Sequence, residues 1–153
     1  MFNTAVRITG QADEAEDVLQ EAFISAFRNL AEYRGDASFG SWLKRIVINK
    51  AINTLKKRKL DLVPEDETFD VAEEPETHYK PELTVERVRA AIMQLPDGYR
   101  AVLSLYLLEG YDHQEIAGIL QITESTSKSQ LNRAKSKLKQ LLTVNTSDYG
   151  KQN

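Results

Sequence analysis

The chain has 153 residues, 41% hydrophobic and 28% charged, which suits one domain or two small ones. It has no cysteine, which excludes disulfides and thiolate metal sites, and its two histidines, His78 and His113, lie far apart without carboxylates at ligand spacing. The start lacks the apolar run of a signal peptide and no stretch approaches the ~20 apolar residues of a membrane span, so the expected location is the cytoplasm, without membrane insertion.

The net charge of −3 conceals three blocks. Residues 1–60 hold ten Lys/Arg against seven Asp/Glu, residues 61–86 hold Lys80 against ten acids, and residues 87–153 hold nine Lys/Arg against six acids. Two basic regions thus flank an acidic one, and binding follows local potential rather than the total.

Phe2, Ala5, Val6 and Thr9 read as a helix that stops at Gly10. Asp13 and Glu16 have the spacing of a capping box for a long second helix. Its expected inner stripe is Ala15, Val18, Leu19, Ala22, Phe23, Ala26, Phe27 and Leu30, leaving Asp17, Gln20, Glu21, Ile24 and Arg28 outside. After a loop at Tyr33–Ala37, Ser38 caps a helix from Phe39 to about Lys59. Its apolar positions are Phe39, Trp42, Leu43, Ile46, Val47, Ile48, Ala51, Ile52 and Leu55. From Phe39 to Leu60 there are seven basic residues and no acid. Arg45, Asn49, Asn53 and Lys57 recur every four residues and form one polar ridge. Asparagine is a poor helix former, so two in register suggest base-edge contacts, with Lys and Arg beside them on phosphates. The plainer alternative is a solvated ridge.

Leu60 to about Glu82 carries Pro64, Pro75 and Pro81 among clustered acids and reads as a flexible tether. Val85, Val88, Ile92 and Leu95 then make a short helix ended by Pro96. A further helix, Tyr99–Glu109, turns Val102, Leu103, Tyr106 and Leu107 inward and stops at Gly110. From Tyr111 to Leu142 the pattern is a helix-turn-helix. Asp112 and Glu115 form a capping box, Gln121-Ile122-Thr123 is the turn, and Thr123 caps the second helix. Ile116, Ala117 and Leu120 face inward from its first helix, and Leu131, Ala134, Leu138 and Leu141 from its second. Lys128, Gln130, Asn132, Arg133, Lys135, Lys137 and Lys139 are expected outside, the arrangement of a helix that enters the major groove. A helical hairpin with solvated lysines is the alternative.

The expected fold is all-α, with two small helical domains joined by an acidic flexible linker and a helix-turn-helix in the second. The boundaries fall at 1–60, 61–82 (linker), 83–145 and 146–153 (tail). No Gly-rich phosphate loop, nucleophile elbow or acid/base pair is present, so the expectation is a non-enzyme without cofactor or metal.

Three blocks resemble the ECF-type (extracytoplasmic function) sigma factors of bacterial RNA polymerase: AEDVLQEAFISAF at Ala15–Phe27, FGSWLKRIVINKAINTLKKRK at Phe39–Lys59, and the stretch Leu95–Leu138. The resemblance implies that Asp17, Gln20, Glu21, Ile24 and Arg28 dock on the clamp helices of the polymerase largest subunit. It implies that Arg34, Ser38, Phe39, Arg45, Asn49, Asn53, Lys56 and Lys57 recognise and open the −10 promoter element. Phe39 and Trp42 offer aromatic surface there, with core the better reading for Trp42. Thr126, Lys128, Ser129, Gln130 and Arg133 are implied to read the −35 element. Core RNA polymerase and promoter DNA are the implied partners, and an anti-sigma factor is common in the family. The family pattern also places a helix ahead of Met1, so the first domain is expected to be incomplete. Gln121 stands where glycine is usual, Ser127 where an apolar residue is common and Gln130 where arginine is common. Rival readings are a stand-alone helix-turn-helix regulator and a helical protein-binding adaptor; the second DNA-facing ridge argues against the first, the acid-free run against the second.

Overall fold

Among the residues described, 1–58 and 83–149 in the computed structural model, with side chains to Thr143, every regular element is helical. The expected linker at 61–82 and residues 150–153 of the expected tail lie outside them. Helix α1 (Phe2–Thr9) ends where Gly10 turns left-handed (φ 82°), and the Gly10 N–H returns to the Val6 carbonyl at 2.7 Å. Helix α2 (Ala12–Arg28) starts one residue before Asp13, so Asp13 and Glu14 sit in its first turn and the expected capping box does not form. Their charges there still complement the helix dipole.

The inner face of α2 is narrower than the apolar pattern predicts. Ala15, Val18, Ala22 and Ala26 are buried, whereas Phe23, Phe27 and Leu30 are exposed, Phe27 by 76%. The reason is steric. Small alanines let α1 and α3 (Phe39–Lys57) approach the same stripe closely, and Phe23 and Phe27 lie about 80–120° around the helix from it. Helix α3 is fixed by Leu43, Val47, Ile48, Ala51, Ile52 and Leu55, all buried, while Phe39 is exposed rather than inward.

Helix α4 (Val85–Met93) buries Ile92 and leaves Val85 exposed. Helix α5 (Asp97–Leu103) runs into a π turn at Ser104–Leu108, closed by the Glu109 N–H on the Ser104 carbonyl at 3.0 Å. The extra residue in that turn shifts the register. Leu105 is therefore carried inside, and Leu107, expected inside, is exposed. Helices α6 (His113–Leu120) and α7 (Glu124–Tyr149) complete the fold, and α7 runs past the boundary expected at 145. One apolar cluster spans both halves, from Ile8, Val47 and Ile52 to Val102, Leu105 and Ile116.

Candidate nucleic-acid interface

The loop before α3 is built from local contacts. Ser38 caps the helix by accepting the Ser41 N–H at 3.2 Å. The Tyr33 hydroxyl donates to the Ala37 carbonyl at 2.6 Å, drawing the ends of the loop together, and Gly35 supplies its one positive φ (77°). The Tyr33 ring meets Phe39 edge-on at 5.6 Å and Trp42 at 5.3 Å, and Phe39 and Trp42 are 5.6 Å apart. Arg34, Ser38 and Phe39 are exposed and Trp42 is half-buried in this cluster. Tyr33 completes this aromatic cluster although the sequence pattern does not single it out; its signal is a third aromatic close to Phe39 and Trp42 in the chain.

On α3 the structure leaves Asn49, Asn53 and Lys57 exposed in one row, with Lys56 half-buried beside them. Lys50 and Thr54, not anticipated, line a shallow concavity with Asn53, Lys56, Lys57 and Glu21. Arg45 heads the same ridge but lies under the Tyr111 ring, its guanidinium carbon 5.4 Å from the centroid.

In the helix-turn-helix, Asp112 caps α6 through the Glu115 N–H at 2.8 Å, and Thr123 caps α7 through the Thr126 N–H at 3.0 Å. Gln121 takes the left-handed conformation (φ 57°, ψ 47°), which closes the turn without glycine. Lys128 and Ser129 are exposed, and Thr126 and Arg133 are partly so. Gln130 is not: expected to face DNA, it is 4% exposed, and its Oε1 has no hydrogen-bond partner among the described residues. Its position explains this, because it precedes Ala134 by four and shares that buried face. Ser127 is wholly buried on the same side, its Oγ 2.8 Å from His113 Nδ1, and the His113 ring stacks on Tyr106 at 4.6 Å.

A third surface lies on α2. Asp17, Gln20, Glu21, Ile24 and Arg28 are all exposed, as expected. Phe23, Phe27 and Leu30 extend it into an apolar strip, and Leu19, Phe23 and Ile24 line a shallow groove there with Glu16 and Gln20. Exposed apolar surface is a recurrent feature of interaction sites. Among the described residues no group of three or more metal-ligating side chains converges, and no helix is long and apolar enough to cross a membrane.

Residues 1–60 match the family model for sigma-70 region 2, and residues 85–138 match that for sigma-70 region 4. The RNA polymerase sigma-H factor of Pseudomonas aeruginosa is 38% identical over 143 residues, an alignment covering 85% of this chain and 74% of that protein. The ECF RNA polymerase sigma factor SigE of Mycolicibacterium smegmatis is 30% identical over 97% of this chain, which spans 59% of its length. In fold, the chain is similar to the sigma factor RpoE solved in complex with the anti-sigma factor NepR from Bartonella quintana. The TM-score is 0.62 at 24% identity, covering 94% of this chain and 89% of that one.

Proposed function

The chain belongs to the sigma-70 family, within its ECF group, and from that premise we propose how its surfaces give RNA polymerase promoter specificity. The α2 face carrying Asp17, Gln20, Glu21, Ile24 and Arg28, widened by Phe23 and Phe27, docks on the clamp helices of the core enzyme. Apolar side chains there supply buried area, and the flanking charges set orientation. Asn49 and Asn53 address base edges of the −10 element, while Lys56 and Lys57 hold adjacent phosphates. Arg34, Ser38 and Phe39 present the loop and ring against which an unstacked base rests. Lys128, Ser129, Thr126 and Arg133 engage the −35 element, and buried Gln130 supports the helix from behind instead of reading a base. Catalysis belongs to the polymerase, the site of action is the cytoplasm, and an anti-sigma factor is a further partner.

The observation that carries this reading is the pair of separate cationic, DNA-suited helices on one chain, α3 and α7. A stand-alone operator-binding regulator has no use for the first. Reconstitution with bacterial core polymerase on a pool of genomic fragments is the test. Promoter-specific transcripts that depend on this chain are expected. A protein that neither binds core nor redirects transcription would overturn the proposal.

A further inference from the structure

Residues 34–37, in the loop before α3, belong to no helix and are all exposed. Among the described residues one side-chain hydrogen bond spans them, from the Tyr33 hydroxyl to the Ala37 carbonyl at 2.6 Å. At the far end Ser38 is committed to the helix. Its Oγ accepts the Ser41 N–H at 3.2 Å and donates to Ser41 Oγ at 2.8 Å. At the near end the Tyr33 N–H returns to the Leu30 carbonyl at 3.2 Å, which fastens Tyr33 to the short turn Leu30–Glu32. Gly35 makes the reversal at φ 77°, with open space where a Cβ would stand. The tie across the loop is thus a single phenolic hydroxyl.

The ring of Tyr33 has a second role. It stands edge-on to Phe39, 5.6 Å away with the planes at 89°, and tilts against Trp42 at 5.3 Å and 48°. Phe39 is 46% exposed, so Tyr33 and Trp42 back part of its ring and leave the rest to solvent. Edge-to-face pairs favour one relative orientation. One residue therefore sets both the width of the loop and the attitude of the ring beside it.

Order in this loop is worth more than the contact it offers. Fixing one free residue costs a factor of about 5–30 in an equilibrium, and stacking one base on an aromatic ring returns about 5–150. If residues 34–37 were free until a base arrived, ordering all of them would cost at least about 600-fold, more than one stack returns. Capture is favourable where the loop is ordered beforehand.

We propose that Tyr33 is a positioning residue for promoter opening. Its hydroxyl holds the loop closed on Ala37 and its ring sets Phe39, so that an unstacked base of the −10 element is captured without first ordering the loop. Tyr33 acts through the loop and Phe39, not by touching the base. The proposal rests on the −10 role of this loop given above.

The test uses the full chain assembled with bacterial core polymerase on a promoter fragment that it transcribes. The fragment carries 2-aminopurine in the −10 element, which brightens when the base unstacks. Tyr33→Phe keeps the ring and removes the hydroxyl. It is expected to lower the equilibrium of opening, and affinity for a single-stranded −10 oligonucleotide, by about 2–12-fold, the worth of one hydrogen bond. Affinity for core polymerase and for the closed duplex in the cold should be unchanged. Tyr33→Leu, which also removes the ring, should lose a further factor of about 2–12 in the same two readouts. Gly35→Ala adds a methyl group in open space but disfavours the left-handed φ, so opening should weaken by about 5–30-fold. Gly35→Asn, which tolerates that conformation, should recover most of the loss.

Unchanged opening by Tyr33→Phe in a folded chain would overturn the proposal. An equal loss for the closed duplex or for core binding would overturn it too, since general destabilisation moves every readout together. Should Tyr33→Phe fail to fold, the Gly35 pair carries the test, and wild-type opening by Gly35→Ala would show that loop order does not limit capture. Phe39→Ala separates this outcome from failure of the underlying reading. Opening that survives loss of the Phe39 ring removes the −10 role of the loop itself. Opening lost in Phe39→Ala but normal in Tyr33→Phe leaves that role standing and removes only the positioning by Tyr33.

Discussion

Helix α3 and the α6–α7 pair both offer cationic surface over apolar packing, but only the second adds buried polar groups behind it. Behind the Asn49–Asn53–Lys57 row stand six buried aliphatic or alanine side chains and no buried polar group of α3. Behind Lys128 and Ser129 stand apolar Ile116, Ile119, Leu120, Leu131 and Ala134, and with them buried Ser127, bonded to His113, a buried Gln130, and a turn that holds Gln121 left-handed. Apolar packing is non-directional and large per residue, at about 1.5–3 kcal/mol for a buried aliphatic chain. A hydrogen bond nets only about 0.5–1.5 kcal/mol but fixes an angle. The first surface is therefore backed by apolar packing alone, the second by apolar packing to which the directional Ser127–His113 bond is added.

The sharpest way to break this contrast is stability. Ile52→Ala removes a wholly buried side chain from beneath the α3 ridge and is expected to cost about 2–5 kcal/mol. At ~2–4 °C per kcal/mol for a chain of this size, thermal unfolding should register it plainly. Next in size is Asn53→Ala, which should weaken −10 recognition by about 1–3 kcal/mol, the worth of a bidentate base contact. Permanganate reactivity of the opened start site is the readout, and core polymerase binding should be unchanged. Loss of core binding instead would contradict the separation of the α2 and α3 faces. Ser127→Ala should cost only about 0.5–1.5 kcal/mol, the value of its bond with His113. A loss as large as that of Ile52→Ala would show that the polar support is not the weaker one.

The same contrast decides what is legible in the sequence. The α3 core and the caps Ser38, Asp112 and Thr123 are written locally, as helical spacing and as side chains within three residues of the groups they bind. Phe23, Phe27 and Leu30 mislead because size suggests inwardness, whereas Ala15, Ala22 and Ala26 define the contact stripe by being small. Leu107 follows its spacing until the π turn adds a residue. Gln130 invites an outward placement by its chemistry, although its register with Ala134 carries it inside. Arg100 pairs locally with Asp97, but its bond to Arg7 and those of Glu109 to Thr4, Arg7 and Lys44 leave no local signal, because these partners lie at least 65 residues away in the chain.

The smallest effect tests the turn. Gln121 holds φ 57° with a Cβ that the left-handed region disfavours, and its N–H satisfies the Ala117 carbonyl in that conformation. Gln121→Gly keeps the backbone bond and relieves the steric cost, offset in part by the greater freedom of glycine in the unfolded chain. The expected gain is about 0.5–1 kcal/mol, a rise of a few degrees in the unfolding midpoint. Gln121 is exposed and lies outside the residues proposed to face DNA, so affinity for a −35 duplex and its salt slope should not move. A gain in stability with altered DNA affinity would show that the angle between α6 and α7 is set at this residue. The oriented support of the recognition helix would then extend from His113 and Ser127 into the turn itself.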